Sequence, residues 1–182
     1  MTDSPQPTHE SQGVTFEQAL SERSDETTIV DVDEPSQQVV LFQLSGQPFA
    51  LPGQAVSEIL KGDTPVYFVP GLPASTEGVI HLRGNIESLI TLQSLLGLTD
   101  THANAEGMIL VVHGAGIHSA VRIDRLDDVC DLPVSAFKTP PETLPSALRP
   151  YVSALWQPSE HQSATALLDP DALFKAYQQG LG

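Results

Sequence analysis

The sequence is poor in cations, in cysteine and in long apolar runs. Of its 182 residues only eight are lysine or arginine, against 23 aspartates and glutamates, and the formal net charge is −15. A phosphate backbone or an anionic lipid surface is bound through clustered cations, so this balance argues against nucleic acid and anionic membranes as partners. No apolar run approaches the roughly 20 residues that span a bilayer, and we expect no direct membrane insertion.

Cys130 is the one cysteine of the sequence, so no internal disulfide can form. This composition is typical of a reducing compartment. A lone cysteine can act as a nucleophile, but the simpler interpretation is a small packed residue at the end of a strand. The opening residues, MTDSPQPTHE, lack the basic and then apolar pattern of a secretory signal. We therefore expect a soluble protein of the cytoplasm.

Motifs of common catalytic sites are missing as well. The sequence contains neither a GxxxxGK[ST] phosphate loop nor a GxSxG nucleophile elbow. The run Gly114-Ala115-Gly116 lacks the third glycine of a dinucleotide site and is better interpreted as a hairpin turn. His113 and His118 flank that turn, but two imidazoles without a third ligand make a poor zinc site. We expect no metal, no cofactor and no catalytic residue.

One group of carboxylates is the exception to this lack of candidate chemistry. Paired carboxylates in a cleft can transfer protons, so a small enzyme or ligand-binding barrel remains an alternative. These residues alternate with apolar positions of a predicted strand, which favours a solvated strand edge. They are Asp124, Asp127, Asp128 and Asp131.

The first 37 residues differ in composition from the rest. They contain nine acidic residues and a single basic one, Arg23, and so carry −8 of the net charge. Such a segment buries too little apolar surface to offset its ordering entropy, on the order of 1–2 kcal/mol per residue. We predict a disordered acidic tail over residues 1–37, which serves either as a solubilising leader or as a docking peptide.

From residue 38 onward the pattern changes to short apolar segments separated by turn signals. This pattern, without a βαβ rhythm, predicts a mainly β domain over residues 38–182, built as barrels or a sandwich. Two clusters of strands on either side of residues 99–106 suggest two small sub-barrels, at about 38–98 and 107–168. A final helix is predicted at about Pro170–Gln179, capped by Asp169 or Asp171.

Four blocks in order between Val39 and Phe174 resemble the CheW family of chemotaxis adaptors. A single Leu-Arg-Gly would be weak support, but the ordered series is specific. The blocks are VVLFQLSGQPFALPGQAVSEIL, GVIHLRGNIESLITLQSLLGL, GMILVVHGAGIHSAVRIDRLDDVCDLP and ATALLDPDALF.

This resemblance implies two interlocked five-stranded SH3-like β-barrels with a short C-terminal helix. It also implies a non-catalytic adaptor that couples methyl-accepting chemotaxis receptors to a CheA-type histidine kinase, in a chemotaxis or twitching-motility array. Such a protein is cytoplasmic and is recruited to membrane-associated receptor arrays. The alternative is a divergent CheW-like interaction module for polar localisation or another motility process.

Partner-binding residues follow from the resemblance by matching position. For Arg83 two roles are open: an outward anchor at an interface, or an internal brace bonded to backbone carbonyls. Arg122 departs from the family, because it places a charge in a strand that is usually apolar. The implied partner-binding residues are Val56, Glu58, Gly78, Arg83, Gly84, Met108, Ala120 and Val129.

Overall fold

The computed structural model describes residues 34–99, 107–159 and 161–180. Most of the tail predicted at 1–37 therefore lies outside the described residues. The strands are β1 (Ser36–Leu44), β2 (Gln47–Pro52), β3 (Val56–Lys61), β4 (Val66–Tyr67), β5 (Thr76–Leu82), β6 (Asn85–Ile90), β7 (Met108–Gly114), β8 (Ile117–Ile123), β9 (Arg125–Pro133), β10 (Phe137–Lys138), β11 (Val152–Trp156) and β12 (Thr165–Leu168), and helix α1 (Pro170–Gln178) follows them.

The strands form two six-stranded sheets. The first sheet has the order β10-β11-β12-β2-β1-β9, and the second has the order β3-β7-β8-β6-β5-β4. The predicted mainly β fold with a C-terminal helix is confirmed, but the strands are arranged as two sheets rather than as closed five-stranded barrels. The first sheet has one strand more than the predicted five. Strand β10 was not predicted, because its two residues are too few to show an alternating pattern.

The first sheet combines the two ends of the described chain. Its strands β1 and β2 precede the second sheet in sequence, and β9 to β12 follow it. The link is the antiparallel pairing of β1 with β9, which runs from Ser36↔Pro133 to Gln43↔Arg125. The two sheets therefore do not coincide with the consecutive ranges 38–98 and 107–168 that were predicted as sub-barrels. A pairing between such distant segments leaves no local signal in the sequence.

Both faces of the central strands are buried. In β7, Leu110 and Val112 belong to the main core, whereas Ile109 on the opposite face packs with Ile80 and Leu89 in a smaller cluster. Strands buried on both faces have nearly continuous apolar sequences, which explains the run MILVVHG. The main core draws on both sheets and on the helix through Phe42, Leu51, Leu110, Val121 and Phe174.

Helix α1 begins at a side-chain cap. Asp169 accepts hydrogen bonds from the backbone N–H groups of Asp171 and Ala172, so Asp169 is the capping residue of the two candidates. Asp171 has a different role: its Oδ1 accepts a hydrogen bond of 2.6 Å from the N–H of Ala115 in the β7–β8 turn. The helix is thereby fastened to the second sheet. Among the residues described, no helix is long and apolar enough to cross a membrane.

Candidate partner-binding surface

The β5–β6 hairpin turns through Arg83 and Gly84. Leu82 and Asn85 are the last paired residues before the turn, which leaves a two-residue loop. Both loop residues have positive φ, +49° at Arg83 and +89° at Gly84, as in the turns that match the twist of a hairpin. Glycine adopts this conformation without cost. The turn directs the Arg83 side chain outward, and 77% of it is exposed.

Arg83 forms an ion pair with Glu58. Its Nε lies 3.2 Å from Oε1 of Glu58, in the edge strand β3. Two strands, β7 and β8, separate β3 from β6 in the sheet, so the second sheet must curve to bring these side chains together. An exposed ion pair contributes only about 0–1 kcal/mol to stability. Of the two roles considered for Arg83, the outward position therefore fits the structure.

Apolar side chains are exposed near the other edge of the second sheet. Tyr67 pairs with Val79, and Ile86 pairs with His81. Val79 and His81 point to the same face of β5 because they are two residues apart, so Tyr67 and Ile86 share a face. Phe68, which is 80% exposed, and Val69 follow directly. We call these four exposed residues, Tyr67, Phe68, Val69 and Ile86, the apolar patch.

Gly78 lies directly beneath β4, the strand that leads into the apolar patch. It is buried in β5, and a Cβ atom there would lie 2.7 Å from the carbonyl oxygen of Tyr67. It would also lie 2.8 Å from Cγ1 of Val66. Only glycine lets β4 lie this close to β5.

The remaining predicted residues are distributed over both sheets. Val56 and Met108 are half-buried and pack against the main core. Ala120 is fully buried in the smaller cluster, so we assign it a packing role. Val129 is exposed, but it belongs to β9 in the first sheet. Seven of the eight predicted residues therefore belong to the second sheet or to its β5–β6 turn, and Val129 belongs to the first sheet.

The apolar patch was not predicted from the sequence. Residues 64–69, TPVYFV, are one of the short apolar segments that predict strands, in which aromatic and β-branched residues are expected to be half-buried. The strand that forms has only two residues, Val66 and Tyr67, and Phe68 lies beyond it. The adjoining Pro70-Gly71 was the available signal, because it ends the strand before its apolar residues can be covered.

The aspartates near β9 do not share a cleft: of the four, Asp127 alone lines the cavity of about 480 Å³ beside β1 and β2. Asp127, Asp128 and Asp131 are exposed on an edge strand, as the interpretation of a solvated edge predicts. Asp127 accepts a hydrogen bond from Gln43 and forms an ion pair with Arg125.

Cys130, in the same strand, is half-buried. Burial raises the pKa of its thiol, and the negative charges of Asp128 and Asp131 raise it further. Such a thiol is a poor nucleophile.

A cavity of about 840 Å³ lies beside the β7–β8 turn and the start of α1. His113 and His118 are paired across the hairpin, with ring centroids 5.4 Å apart. Asp169 and Asp171 also line the cavity, but both accept hydrogen bonds from backbone N–H groups. No cluster of three or more histidine, cysteine or acidic side chains suited to a metal occurs within residues 34–99, 107–159 and 161–180.

Comparison with known proteins gives a consistent result. The CheW-like domain family matches residues 38–178. A chemotaxis protein CheW from Helicobacter pylori is 30% identical over 130 residues, 69% of this chain and 77% of that protein. A chemotaxis protein CheW from Bacillus subtilis is 27% identical over 106 residues, 58% of this chain and 67% of that protein.

A solved structure shares the fold. The crystal structure of the scaffolding protein TtCheW from Thermoanaerobacter tengcongensis superposes with a TM-score of 0.67. It is 22% identical in sequence, and the match covers 78% of this chain and 94% of that chain. The family match spans most of the sequence and includes both sheets and the helix, so this chain belongs to the family of CheW-like domains.

Proposed function

We propose that this chain is a non-catalytic adaptor that couples methyl-accepting chemotaxis receptors to a CheA-type histidine kinase, in a chemotaxis or twitching-motility array. It acts in the cytoplasm and is recruited to membrane-associated receptor arrays. The proposal is supported by the family, by relatives described as chemotaxis proteins, and by a structural neighbour described as a scaffolding protein.

The apolar patch is the observation that carries the proposal. Phe68 exposes 80% of its surface, and exposed aromatic residues bordered by polar groups are typical of protein interfaces. The Arg83–Glu58 ion pair lies in the same sheet and supplies charged groups for orientation. We assign this surface of the second sheet to the regulatory domain of the kinase.

An adaptor needs a second surface, and the first sheet offers one. Among the strands that the structure describes, none pairs with the outer edge of β9, and Val129 and the nearby Val134 are exposed there. Asp128 and Asp131 flank Val129, so this edge suits a partner with apolar and cationic side chains. We assign it to the receptor. Each interface would bury about 800 Å² per partner or less, with affinity raised by multivalency in the array.

Substitution of Phe68 tests the assignment. In the full chain, Phe68→Ser removes an exposed aromatic group without opening a core cavity, so the fold is retained. We expect affinity for a purified kinase regulatory domain, measured by calorimetry, to fall at least about tenfold, with receptor binding unchanged. Val134→Ser is the matched control on the first sheet, and it should leave kinase affinity unchanged. Equal kinase affinity of the Phe68 variant and the native chain would refute the proposal.

A further inference from the structure

Arg122 is a buried arginine in the middle of the second sheet. Only 7% of its side chain is exposed. Its Nε donates a hydrogen bond of 2.6 Å to Oε2 of Glu77, and its Nη2 donates one of 2.7 Å to Oε1. This two-pronged contact is the arrangement in which the planar guanidinium is most specific in direction.

Glu77 reaches Arg122 because of an irregularity in β5. The pairing of β5 with β6 shifts by one residue between Thr76 and Gly78, so Glu77 is the extra residue of a β-bulge. Bulges re-aim side chains, and this one directs a carboxylate toward β8. The next residue, Gly78, is the one on which β4 lies.

The third contact of the guanidinium leads to the loop between β3 and β4. Nη1 of Arg122 donates to the carbonyl oxygen of Gly62, at 3.3 Å. The same loop is closed by Thr64, whose N–H and hydroxyl both donate to the carbonyl oxygen of Lys61. Gly62 stands four residues before Val66, where β4 begins.

The Arg122 side chain therefore contacts both segments that hold β4 in place, the β3–β4 loop and strand β5. Through Gly62 it contacts the loop that enters β4, and through Glu77 it contacts the strand against which β4 is laid. The support of β4 itself is small, since only Val66 and Tyr67 pair with β5. A pairing of two residues gives little stability of its own. The position of residues 66–69 therefore depends on the contacts that hold the β3–β4 loop and strand β5 in place.

A purely stabilising role accounts for the ion pair less well. Well-packed apolar residues of similar volume often stabilise an interior as much as a buried ion pair does. What such residues lack is direction, because they cannot bond the carbonyl of one particular loop residue. We infer that Arg122 is a positioning residue: its contacts with Glu77 and Gly62 fix residues 62–69 in the conformation that presents the apolar patch. The inference deepens the proposed function and rests on it for the binding readout.

Three variants of the full chain separate positioning from general stability. Arg122→Met removes all three contacts but leaves the Glu77 carboxylate alone. The pair Arg122→Met with Glu77→Met replaces both partners by apolar groups of similar length, which preserves packing. Arg122→Lys keeps the charge but cannot bond both carboxylate oxygens and Gly62 at once. Arg125→Met is the matched control, because Arg125 forms an exposed ion pair with Asp127 in the first sheet.

Amide hydrogen exchange is the first readout. In the double variant we expect exchange at residues 62–69 to rise about tenfold to a hundredfold, the range for loss of charge-assisted hydrogen bonds. Amides of Leu110 and Val121 in the core should keep their native rates, and Arg125→Met should change neither set. Unchanged exchange at 62–69 in the double variant, or an equal rise in the core amides, would overturn the inference.

Kinase binding is the second readout. In the double variant, affinity for the kinase regulatory domain should fall about tenfold although the melting temperature is retained, with Arg122→Lys in between. Native affinity combined with faster exchange would show that the contacts do not serve the patch, and would overturn the inference while the proposed function stands. If the native chain does not bind the kinase, the proposed function fails, and the exchange result still decides whether Arg122 fixes the segment.

Discussion

The backbone of Tyr67 lies so close to Gly78 that a Cβ atom there would be 2.7 Å from the carbonyl oxygen of Tyr67. Real Cβ atoms do not approach backbone atoms so closely, so any side chain at Gly78 must push β4 away from β5. The position thereby controls the apolar patch without being part of its surface.

Gly78→Ala should therefore weaken kinase binding more than it weakens the fold. Overpacking costs about 1–3 kcal/mol, and here the short strand β4 can yield while the core stays intact. We expect a cooperative thermal unfolding transition together with at least about a tenfold loss of affinity. Gly46→Ala, in the β1–β2 turn, is the control. Its positive φ strains the backbone of the variant, but a Cβ atom there meets no other atom within 4 Å. The control therefore lowers stability without displacing a neighbouring strand. Native kinase affinity of the Gly78 variant would contradict this view.

Arg83→Glu tests the exposed ion pair. The change removes the contact with Glu58 and creates a like-charge pair, but an exposed pair of this kind contributes only about 0–1 kcal/mol to folding. Stability measured in urea should change little, while the association rate with the kinase domain should fall and lose part of its salt dependence. The exchange variant Glu58→Arg with Arg83→Glu restores the ion pair. If that variant also regains native binding, the partner does not recognise Arg83 itself.

Cys130 should react slowly with thiol reagents. Burial and the charges of Asp128 and Asp131 raise its pKa, and a higher pKa leaves less thiolate at a given pH. Modification by a disulfide reagent near pH 8 should thus be slower than for the unfolded chain, and the reaction profile should shift to higher pH. Asp128→Asn with Asp131→Asn removes two of the causes and should speed the reaction. No acceleration would leave burial as the sole cause.

Removal of residues 1–33 distinguishes the two functions considered from sequence. Strand β1 begins at Ser36, and Glu34 still accepts a hydrogen bond from the N–H of Ser135, so the truncated chain keeps the described fold. We expect unchanged affinities for the kinase domain and a receptor fragment. Lost cellular localisation with intact kinase binding would instead favour a localisation module with the acidic segment as its targeting element.

Local features of the fold could be predicted because their signals are local. The hairpin turn at Gly114-Ala115-Gly116, the histidines His113 and His118 that flank it, and a helix cap at Asp169 or Asp171 each depend on residues a few positions apart. Turn chemistry and capping read such spacings directly.

Long-range features could not be predicted for the same reason. The pairing of β1 with β9 and the contact of Arg122 with Glu77 and Gly62 join segments that only the folded chain brings together. In the sequence, Arg122 was recognisable only as a charge in an apolar strand. Nothing in the sequence indicated that Glu77 and Gly62 are its partners. Exposure of Phe68 likewise depends on where β4 stops: Pro70-Gly71 signals that the strand ends nearby, but not that it already ends at Tyr67.

The division of the chain between the sheets sets an order of events during synthesis. Strands β3 to β8 are consecutive, so the second sheet can assemble as soon as residue 123 has left the ribosome. Strands β1 and β2 emerge before all other described strands and can pair with each other, but their outer partners, β9 and β12, follow only after the second sheet. At about 5–20 residues per second, the N-terminal hairpin waits for seconds with both edges open. The strands that are made first are thus enclosed only once β12 has been made, and until then their open edges are available to a chaperone.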